Sequence, residues 1–330
     1  MTAKPPQAVL WGRLAWHPAV QAWTAFTGES AVPEQIEVLR RGKKSATFRL
    51  VGAGPNGESI IAQRSRPAKA SVERTIYEDI LPGLHLPAPR VYGSRADDDD
   101  DYVWLFLQDL GNERYSPTDP AHRALAGRWI GMLHARARDL PLARVLPDGG
   151  PARYRRHLRA GRHAIRVNVA NPLLAAADVV LLDRLAKTLD RVEGDWDRLD
   201  ETCTRTPATL VHGDIQRKNM YVRAGDDGKE PALYVIDWET AGWGVPAVDL
   251  PKIDLPAYCD TVRSAWPSAR LEDVRRLAAV GVVFLQLAAI HWVSPELAYD
   301  RADHLVRPMS WLRVLHERLE QGLADLRGLS

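Results

Sequence analysis

The sequence predicts an α+β fold with two lobes, a small antiparallel sheet followed by a larger and mainly helical part. A chain of 330 residues is too long for one small core and fits two. Short apolar segments separated by turn residues fill the first third, whereas longer segments of helical periodicity follow. We expect the small lobe at residues 1–107, a connection at 108–111 and the helical lobe at 112–330.

The elements of the small lobe follow from strand patterns and turn signals. A leading helix begins at His17-Pro18 and carries aromatic residues at helical spacing. Pro55-Asn56-Gly57 marks a turn between two strands. Ser71 suits the N-cap of a helix that precedes a proline-rich stretch. The predicted strands are 36–41, 46–51, 59–64, 90–94 and 102–107, and the predicted helix is 71–81.

A run of five aspartates at 97–101 separates the last two predicted strands. Metal binding is one reading of this run, and a solvated hairpin loop is the other. Like charges repel, and blocks of charge are usually exposed, so we expect the solvated loop.

The helical lobe is predicted from amphipathic stretches that follow Pro120. The stretch 151–165 carries five arginines, which indicate either a solvated helix face or a basic lid over an anionic substrate. The apolar stretch 277–293 is shorter than the ~18 residues of a membrane span, so we expect a buried helix. The predicted helices are 121–138, 151–165, 179–201, 271–293 and 295–326.

Composition excludes several classes of protein. The 44 basic and 42 acidic residues give a formal charge of +2, without the basic excess of a nucleic-acid-binding protein. Cys203 and Cys259 are the only cysteines and form no C-x-x-C pair, so we expect two reduced thiols. The first residues lack an apolar secretion signal. We therefore expect a cytoplasmic protein with no membrane partner.

The most informative motif is H-G-D-x-x-x-x-N, at the end of a short apolar segment. It supplies His212, Asp214 and Asn219, and a second apolar segment ends in Asp237. Asn219 and Asp237 offer the hard oxygen ligands that Mg²⁺ prefers beside phosphate oxygens. Asp214 suits the acceptor of a hydroxyl proton. His212 has no charge role in this chemistry, and we interpret it as a hydrogen-bonding support of the loop.

These motifs resemble the aminoglycoside phosphotransferase family, whose small-molecule kinases share the bilobal fold of protein kinases. The resemblance covers residues 36–289 and implies Asp214 as catalytic base, with Asn219 and Asp237 as Mg²⁺ ligands. It implies that Asp249 braces the catalytic loop and that the segment ending in Leu-His134 matches a family helix. The small lobe resembles a little-characterised bacterial branch.

The same resemblance implies a nucleotide site beside the connection between the lobes. Backbone groups there would bind the base, Phe106 and Leu107 would add apolar contact, and Gln108 would begin the connection. ATP is the expected nucleotide, although the sequence does not discriminate against GTP. The expected partner is a small molecule with a hydroxyl group, such as an aminoglycoside, a sugar or an amino alcohol.

One departure from the family pattern concerns the phosphate-binding lysine of the third strand. The aligned position holds Gln63, and Glu73 is the helix carboxylate that would pair with that lysine. A neutral amide supplies no positive charge. Our hypothesis is that Lys43 or Lys44, in the turn between the first two strands, supplies the missing cation. Lys218, beside the metal residue, is either a second phosphate contact or a surface charge.

Three functions compete at this point. The first is an ATP- and Mg²⁺-dependent phosphotransferase that acts on a small-molecule hydroxyl. The second is a pseudokinase that binds a nucleotide or a partner without turnover, which Gln63 favours. The third is a metal-dependent hydrolase with His212, Asp214 and Asp237 as ligands, which lacks a histidine cluster. The presence of Asp214, Asn219 and Asp237 together favours the phosphotransferase, because binding without turnover has no chemical need for all three.

Overall fold

The computed structural model describes residues 8–30, 32–42, 45–97, 101–225 and 230–329. The chain forms two compact units, each assembled from two segments. The first unit takes residues 1–125 and 216–240, and the second takes 126–215 and 241–330. The first unit thus includes the later segment 216–240. The expected boundaries at 107 and 111 had assigned that segment to the helical lobe.

The first unit contains a six-stranded sheet whose neighbouring strands are all antiparallel, in the order β1-β2-β3-β4-β6-β5. A separate hairpin joins β8 and β9. The strands of this unit are β1 (Ala8–Leu10), β2 (Gln35–Arg41), β3 (Ser45–Val51), β4 (Ile60–Ser65), β5 (Val91–Ala96), β6 (Val103–Gln108), β8 (Met220–Arg223) and β9 (Ala232–Val235). Its helices are α1 (Pro18–Thr27), α2 (Pro67–Arg74) and α3 (Leu81–Leu84), and α4 (Pro120–Ala137) begins in it.

The sheet has one strand more than the five predicted. The additional strand, β1, pairs with β2 at the edge of the sheet. It has only three residues, which is too short for an alternating pattern to be recognised in the sequence.

One face of the sheet is covered by α1, as the aromatic spacing predicted. The Trp23 ring lies 5.0 Å from that of Phe106 and 5.4 Å from that of Tyr92, both in edge-to-face arrangements. Edge-to-face aromatic pairs add to the gain from burial. The indole N–H of Trp23 donates to the Ala53 carbonyl at 2.8 Å, so its polar group is satisfied inside this core.

The helix after β4 begins earlier than predicted. Pro67 occupies its first turn, which leaves Ser71 inside the helix rather than at the N-cap. Proline suits this position because the first helical N–H groups have no partner within the helix. The helix continues through a π-helical segment, Thr75–Ile80, into α3.

The second unit consists of helices around two short paired strands, β7 and β10. Its elements are the remainder of α4, then α5 (Pro151–Asn168), α6 (Ala176–Gly194), α7 (Trp196–Thr204), β7 (Thr209–Val211), β10 (Gly242–Gly244), α8 (Leu255–Val262), α9 (Leu271–Val293) and α10 (Ala302–Gly328). The predicted helix 179–201 is two helices, and the predicted helix 295–326 begins at Ala302 after a 3-10 turn, Ser294–Ala298.

Helix α9 is the central helix of this unit, and it packs against α5, α10 and the 3-10 turn Pro246–Asp249. The segment Leu271–Ala298 has the length and composition of a membrane span, but 56% of its most apolar window is buried. The buried helix predicted here is confirmed. Gly281 permits the close approach of α9 to the turn, because a methyl group there would collide with the Ala247 carbonyl.

The arginine-rich face of α5 is paired with α6. Glu193 binds Arg155, Arg159 and Arg162, with nitrogen-to-oxygen distances from 2.7 to 3.3 Å. Asp190 binds Arg162 and Arg166. These arginines therefore form an ion-pair network between neighbouring helices, which disfavours the basic lid.

Candidate nucleotide and phosphate-transfer site

A cavity of about 220 Å³ lies within the first unit and combines apolar with polar walls. Its apolar lining comprises Leu39, Ile61, Leu107, Leu110, Tyr221 and Ile236. Its polar lining includes Gln63, Arg114, Lys218, Asn219, Asp237 and Glu239. An apolar pocket with a few polar groups is the usual form of a nucleotide or cofactor site.

Strand alternation decides which residues of β4 line the cavity. Ile61, Gln63 and Ser65 point into it, whereas Arg64 points to the opposite face. There Arg64 binds Asp97 and its guanidinium lies 3.8 Å from the centre of the Tyr102 ring. Arg64 therefore does not replace the missing lysine, because its side chain lies on the face of the sheet away from the cavity.

The same alternation corrects the role expected of Phe106. Its ring is fully buried on the α1 face of the sheet, against Trp23, while Leu107 lines the cavity. Gln108 also lines the cavity, and it is the last residue of β6. The Gln108 side-chain carbonyl accepts a hydrogen bond from the Arg90 backbone N–H at 3.1 Å, and the Gln108 backbone N–H donates to the Arg90 carbonyl at 2.8 Å.

The segment after β6 presents backbone groups to the cavity. Neither the Asp109 carbonyl nor the Leu110 N–H bonds another of the described residues, so one acceptor and one donor remain for a ligand. Arg49 fixes this segment from β3. Its guanidinium donates to Asp109 at 3.1 Å, to the Gly111 carbonyl at 3.2 Å and to Glu37 at 2.6 Å.

Gln63 and Glu73 are in direct contact. The Gln63 amide donates to Glu73 at 2.7 Å, and the other Glu73 oxygen accepts the Trp238 N–H at 3.2 Å. The Glu73 side chain therefore joins β4, α2 and the segment after β9. Burial, reinforced by the nearby negative charges of Asp237 and Glu239, raises the pKa of Glu73 to about 8. A neutral amide partner is compatible with a carboxyl group that is protonated at neutral pH.

Asn219 and Asp237 lie beside each other because their strands pair. The Ile236 N–H donates to the Asn219 carbonyl at 2.9 Å, and β8 pairs with β9 immediately beyond. Asp237 adopts a left-handed backbone conformation with φ of 69°, which is uncommon outside glycine and is found often at functional sites.

Asn219 and Asp237 suit Mg²⁺ chemically, since an amide oxygen and a carboxylate are both hard ligands. Across the described part of the chain, no three His, Cys, Asp or Glu residues cluster as a metal site. A metal held entirely by protein ligands, as the hydrolase hypothesis requires, therefore finds no support here. Mg²⁺ commonly takes one or two protein carboxylates and completes its shell with phosphate and water.

The H-G-D part of the motif belongs to the second unit, where Asp249 organises it. Asp249 is fully buried, and its two oxygens accept the backbone N–H groups of His212 at 2.7 Å and Gly213 at 2.8 Å. Gly213 has a φ of 82°, a conformation that glycine adopts without strain. The His212 ring accepts the Asp214 N–H at 3.2 Å, a hydrogen bond within the loop itself.

A buried histidine of α4 completes this arrangement. His134 lies 3.3 Å from Asp249 through Nε2 and 3.0 Å from the Tyr258 hydroxyl through Nδ1. The Thr209 hydroxyl donates to the His134 carbonyl at 2.8 Å. The loop is thus connected to α4, α8 and β7 by buried hydrogen bonds.

The hypothesis that Lys43 or Lys44 supplies the missing cation stays a prediction, because both lysines lie outside the described residues. Lys218 lines the cavity beside Asn219. Sequence reasoning missed an ion pair between Lys69 of α2 and the cavity-lining Glu239, at 2.5 Å. The two residues are 170 positions apart, and no local pattern in the sequence connects them.

The model of the phosphotransferase enzyme family, APH, matches residues 35–276. A search of curated proteins found no match.

Solved structures share the fold. Aminoglycoside phosphotransferase from Alicyclobacillus acidocaldarius subsp. acidocaldarius has a TM-score of 0.58 at 13% identity, over 88% of this chain and 91% of that chain. A complex of APH(2")-IIIa with GDP and kanamycin has a TM-score of 0.61 at 14% identity, over 92% and 98%. Plasmodium vivax ethanolamine kinase has a TM-score of 0.57 at 14% identity, over 89% and 84%. The predicted kinase-like fold is confirmed.

Proposed function

Because the chain belongs to the phosphotransferase enzyme family, we propose that it transfers the γ-phosphate of ATP to a hydroxyl group of a small molecule. The observation that carries this proposal is the paired position of Asn219 and Asp237 on the wall of an apolar cavity. GTP is the alternative donor, since the free Asp109 carbonyl and Leu110 N–H offer backbone contacts to either base.

The proposed roles follow from the chemistry of each side chain. Asn219 and Asp237 would hold Mg²⁺, which supplies positive charge to the phosphates when it is bound. Asp214 orients the acceptor hydroxyl and takes its proton. Asp249 positions the loop that carries Asp214, through the two backbone hydrogen bonds that it accepts. Lys218 contacts the transferring phosphoryl group.

The acceptor is proposed only as a chemical class. Structural relatives are described with kanamycin in one case and as an ethanolamine kinase in another. Aminoglycosides, sugars and amino alcohols are therefore the first acceptors to examine. We propose a cytoplasmic location, where ATP is available, and no nucleic-acid or membrane partner.

The second candidate function is nucleotide or partner binding without turnover. The observation in its favour is Gln63, whose neutral amide bonds Glu73 where the family pattern has a lysine. The two functions differ in one measurable respect, which is the formation of a phosphorylated product.

The test is an acceptor screen with the wild-type protein and Asp214→Asn. Incubation with Mg²⁺, ATP and each compound is followed by mass spectrometry of the compound. The phosphotransferase proposal expects a phosphorylated product from the wild-type protein and a loss of at least about a hundredfold in rate for Asp214→Asn. Nucleotide binding with no product from any hydroxyl compound would favour the second function.

A further inference from the structure

We infer that Lys69 of α2 supplies the phosphate-binding cation that the Gln63 position lacks. The inference rests on the proposed function, because it concerns the nucleotide of that reaction. It differs from the hypothesis for Lys43 and Lys44, since it places the cation on a helix rather than in the turn between β2 and β3.

The first observation is the position of Lys69 relative to Gln63 and Glu73. Residues four apart on a helix lie on the same face, so Lys69 stands one turn before Glu73. Glu73 in turn accepts the Gln63 amide at 2.7 Å. The positive charge of Lys69 acts on the Glu73 carboxyl group and opposes the rise of its pKa. A cation is therefore present beside the position at which a lysine is missing from β4.

The second observation is the partner of Lys69. Its ammonium group lies 2.5 Å from Glu239, which lines the cavity two residues after Asp237. The ion pair thus holds the ammonium group beside Glu239, a residue of the cavity wall that also carries the proposed metal ligand. A flexible four-carbon stem allows the ammonium group to move a few ångströms toward a ligand.

The third observation is that this ion pair is accessible to solvent. The Lys69 side chain is 42% exposed and that of Glu239 is 25% exposed. Exposed ion pairs contribute little to stability, so exchange of one anion for another costs little. A triphosphate carries several negative charges, and its oxygens would displace Glu239 from the ammonium group.

The cations that line the cavity are Arg40, Arg114 and Lys218, and the proposed function already assigns Lys218 to the transferring phosphoryl group. Arg114 is held in place, since its guanidinium stacks 3.8 Å over the Tyr221 ring and donates to the Lys218 carbonyl. Arg40 lies at the exposed end of β2. Lys69 is the cation next to the Gln63–Glu73 contact, so its positive charge lies close to the position that the lysine occupies in the family pattern.

The experiment compares the binding of ATP and adenosine by isothermal titration calorimetry, with Mg²⁺ present throughout. Adenosine occupies the base site without phosphates, so it reports on the cavity alone. We expect Lys69→Met to weaken ATP binding at least tenfold and to leave the adenosine Kd unchanged. Lys69→Arg should retain ATP affinity within about threefold, because it keeps the charge. Lys187→Met, at an exposed lysine of α6, is the matched control and should bind as the wild type does.

Each other result has a distinct meaning for the inference and for the proposed function. Equal ATP binding by the wild type and Lys69→Met would show that the lysine does not contact the phosphates. Equal losses for ATP and adenosine would assign it a structural role. Absence of ATP binding by the wild type would reject both this inference and the proposed function. A wild-type protein that binds ATP through Lys69 but phosphorylates no acceptor would reject the proposed function alone.

Discussion

Replacement of Asp249 by alanine is expected to destabilise the second unit strongly. The buried carboxylate accepts two backbone hydrogen bonds, from His212 and Gly213, at 2.7 and 2.8 Å. A hydrogen bond to a charged group contributes about 1.5–3 kcal/mol. Asp249→Ala removes both bonds and leaves two buried N–H groups unpaired, so we expect a loss of about 3–6 kcal/mol in the free energy of unfolding. Asp249→Asn keeps one acceptor oxygen and should lose about half as much.

The assay is denaturant unfolding followed by tryptophan fluorescence. Asp254→Ala is the matched control, because Asp254 is an N-cap that accepts a single N–H, from Ala257 at 2.8 Å. Loss of one N-cap costs about 1 kcal/mol. The reasoning fails if Asp249→Ala costs no more than Asp254→Ala, since the two buried bonds would then contribute nothing beyond a single partly buried cap.

Three further predictions concern packing, charge and pH. Gly281→Ala should cost about 1–3 kcal/mol, because the added methyl group collides with the Ala247 carbonyl. A methyl group at Gly194 would meet open space, so Gly194→Ala should stabilise the protein by about 0.5–1 kcal/mol. The denaturation midpoints of Gly281→Ala and Gly194→Ala should therefore shift in opposite directions from that of the wild type. Arg49→Met should cost up to about 3 kcal/mol and weaken adenosine binding in calorimetry, because it leaves two partly buried carboxylates without their cation. Burial, reinforced by a neighbouring histidine, lowers the pKa of His157 to about 4. The unfolded state therefore binds an additional proton between about pH 6.5 and 4, and the free energy of unfolding falls as the pH falls through that range. His157→Gln should reduce this slope in unfolding curves measured from pH 7.5 to 4.5, and an unchanged slope would contradict the assignment.

The fold class was predictable because it depends on local patterns. Turn residues, strand alternation and helical periodicity each occur within a few residues of the element that they describe. Boundaries were less predictable. Pro67 moved the start of α2 ahead of Ser71, and the three residues of β1 are too few to show a pattern.

The candidate site was predictable where its residues are close in sequence. His212, Asp214 and Asn219 fall within eight positions, so their common loop could be inferred from spacing alone. The face of a strand was harder to assign. The sequence suggested both Phe106 and Leu107 for the nucleotide cavity, whereas the structure turns Leu107 toward it and buries Phe106 on the opposite face, since neighbouring residues of a strand point to opposite sides of the sheet.

Contacts between distant segments could not be inferred from one sequence. The ion pair of Lys69 with Glu239 and the contact of Arg49 with Asp109 depend on how strands and helices pack. Neither pair has a characteristic spacing, because the intervening chain can have any length.

The measurement that tests the account most directly is the binding of ATP by the wild-type protein and by Asp237→Asn, with and without Mg²⁺. A ligand that binds the native state raises the unfolding midpoint, so thermal unfolding reports binding without an acceptor. The account predicts a clear rise with ATP and Mg²⁺ together in the wild type, and loss of its Mg²⁺-dependent part in Asp237→Asn. No rise at millimolar ATP, or the same rise with and without Mg²⁺, would contradict it.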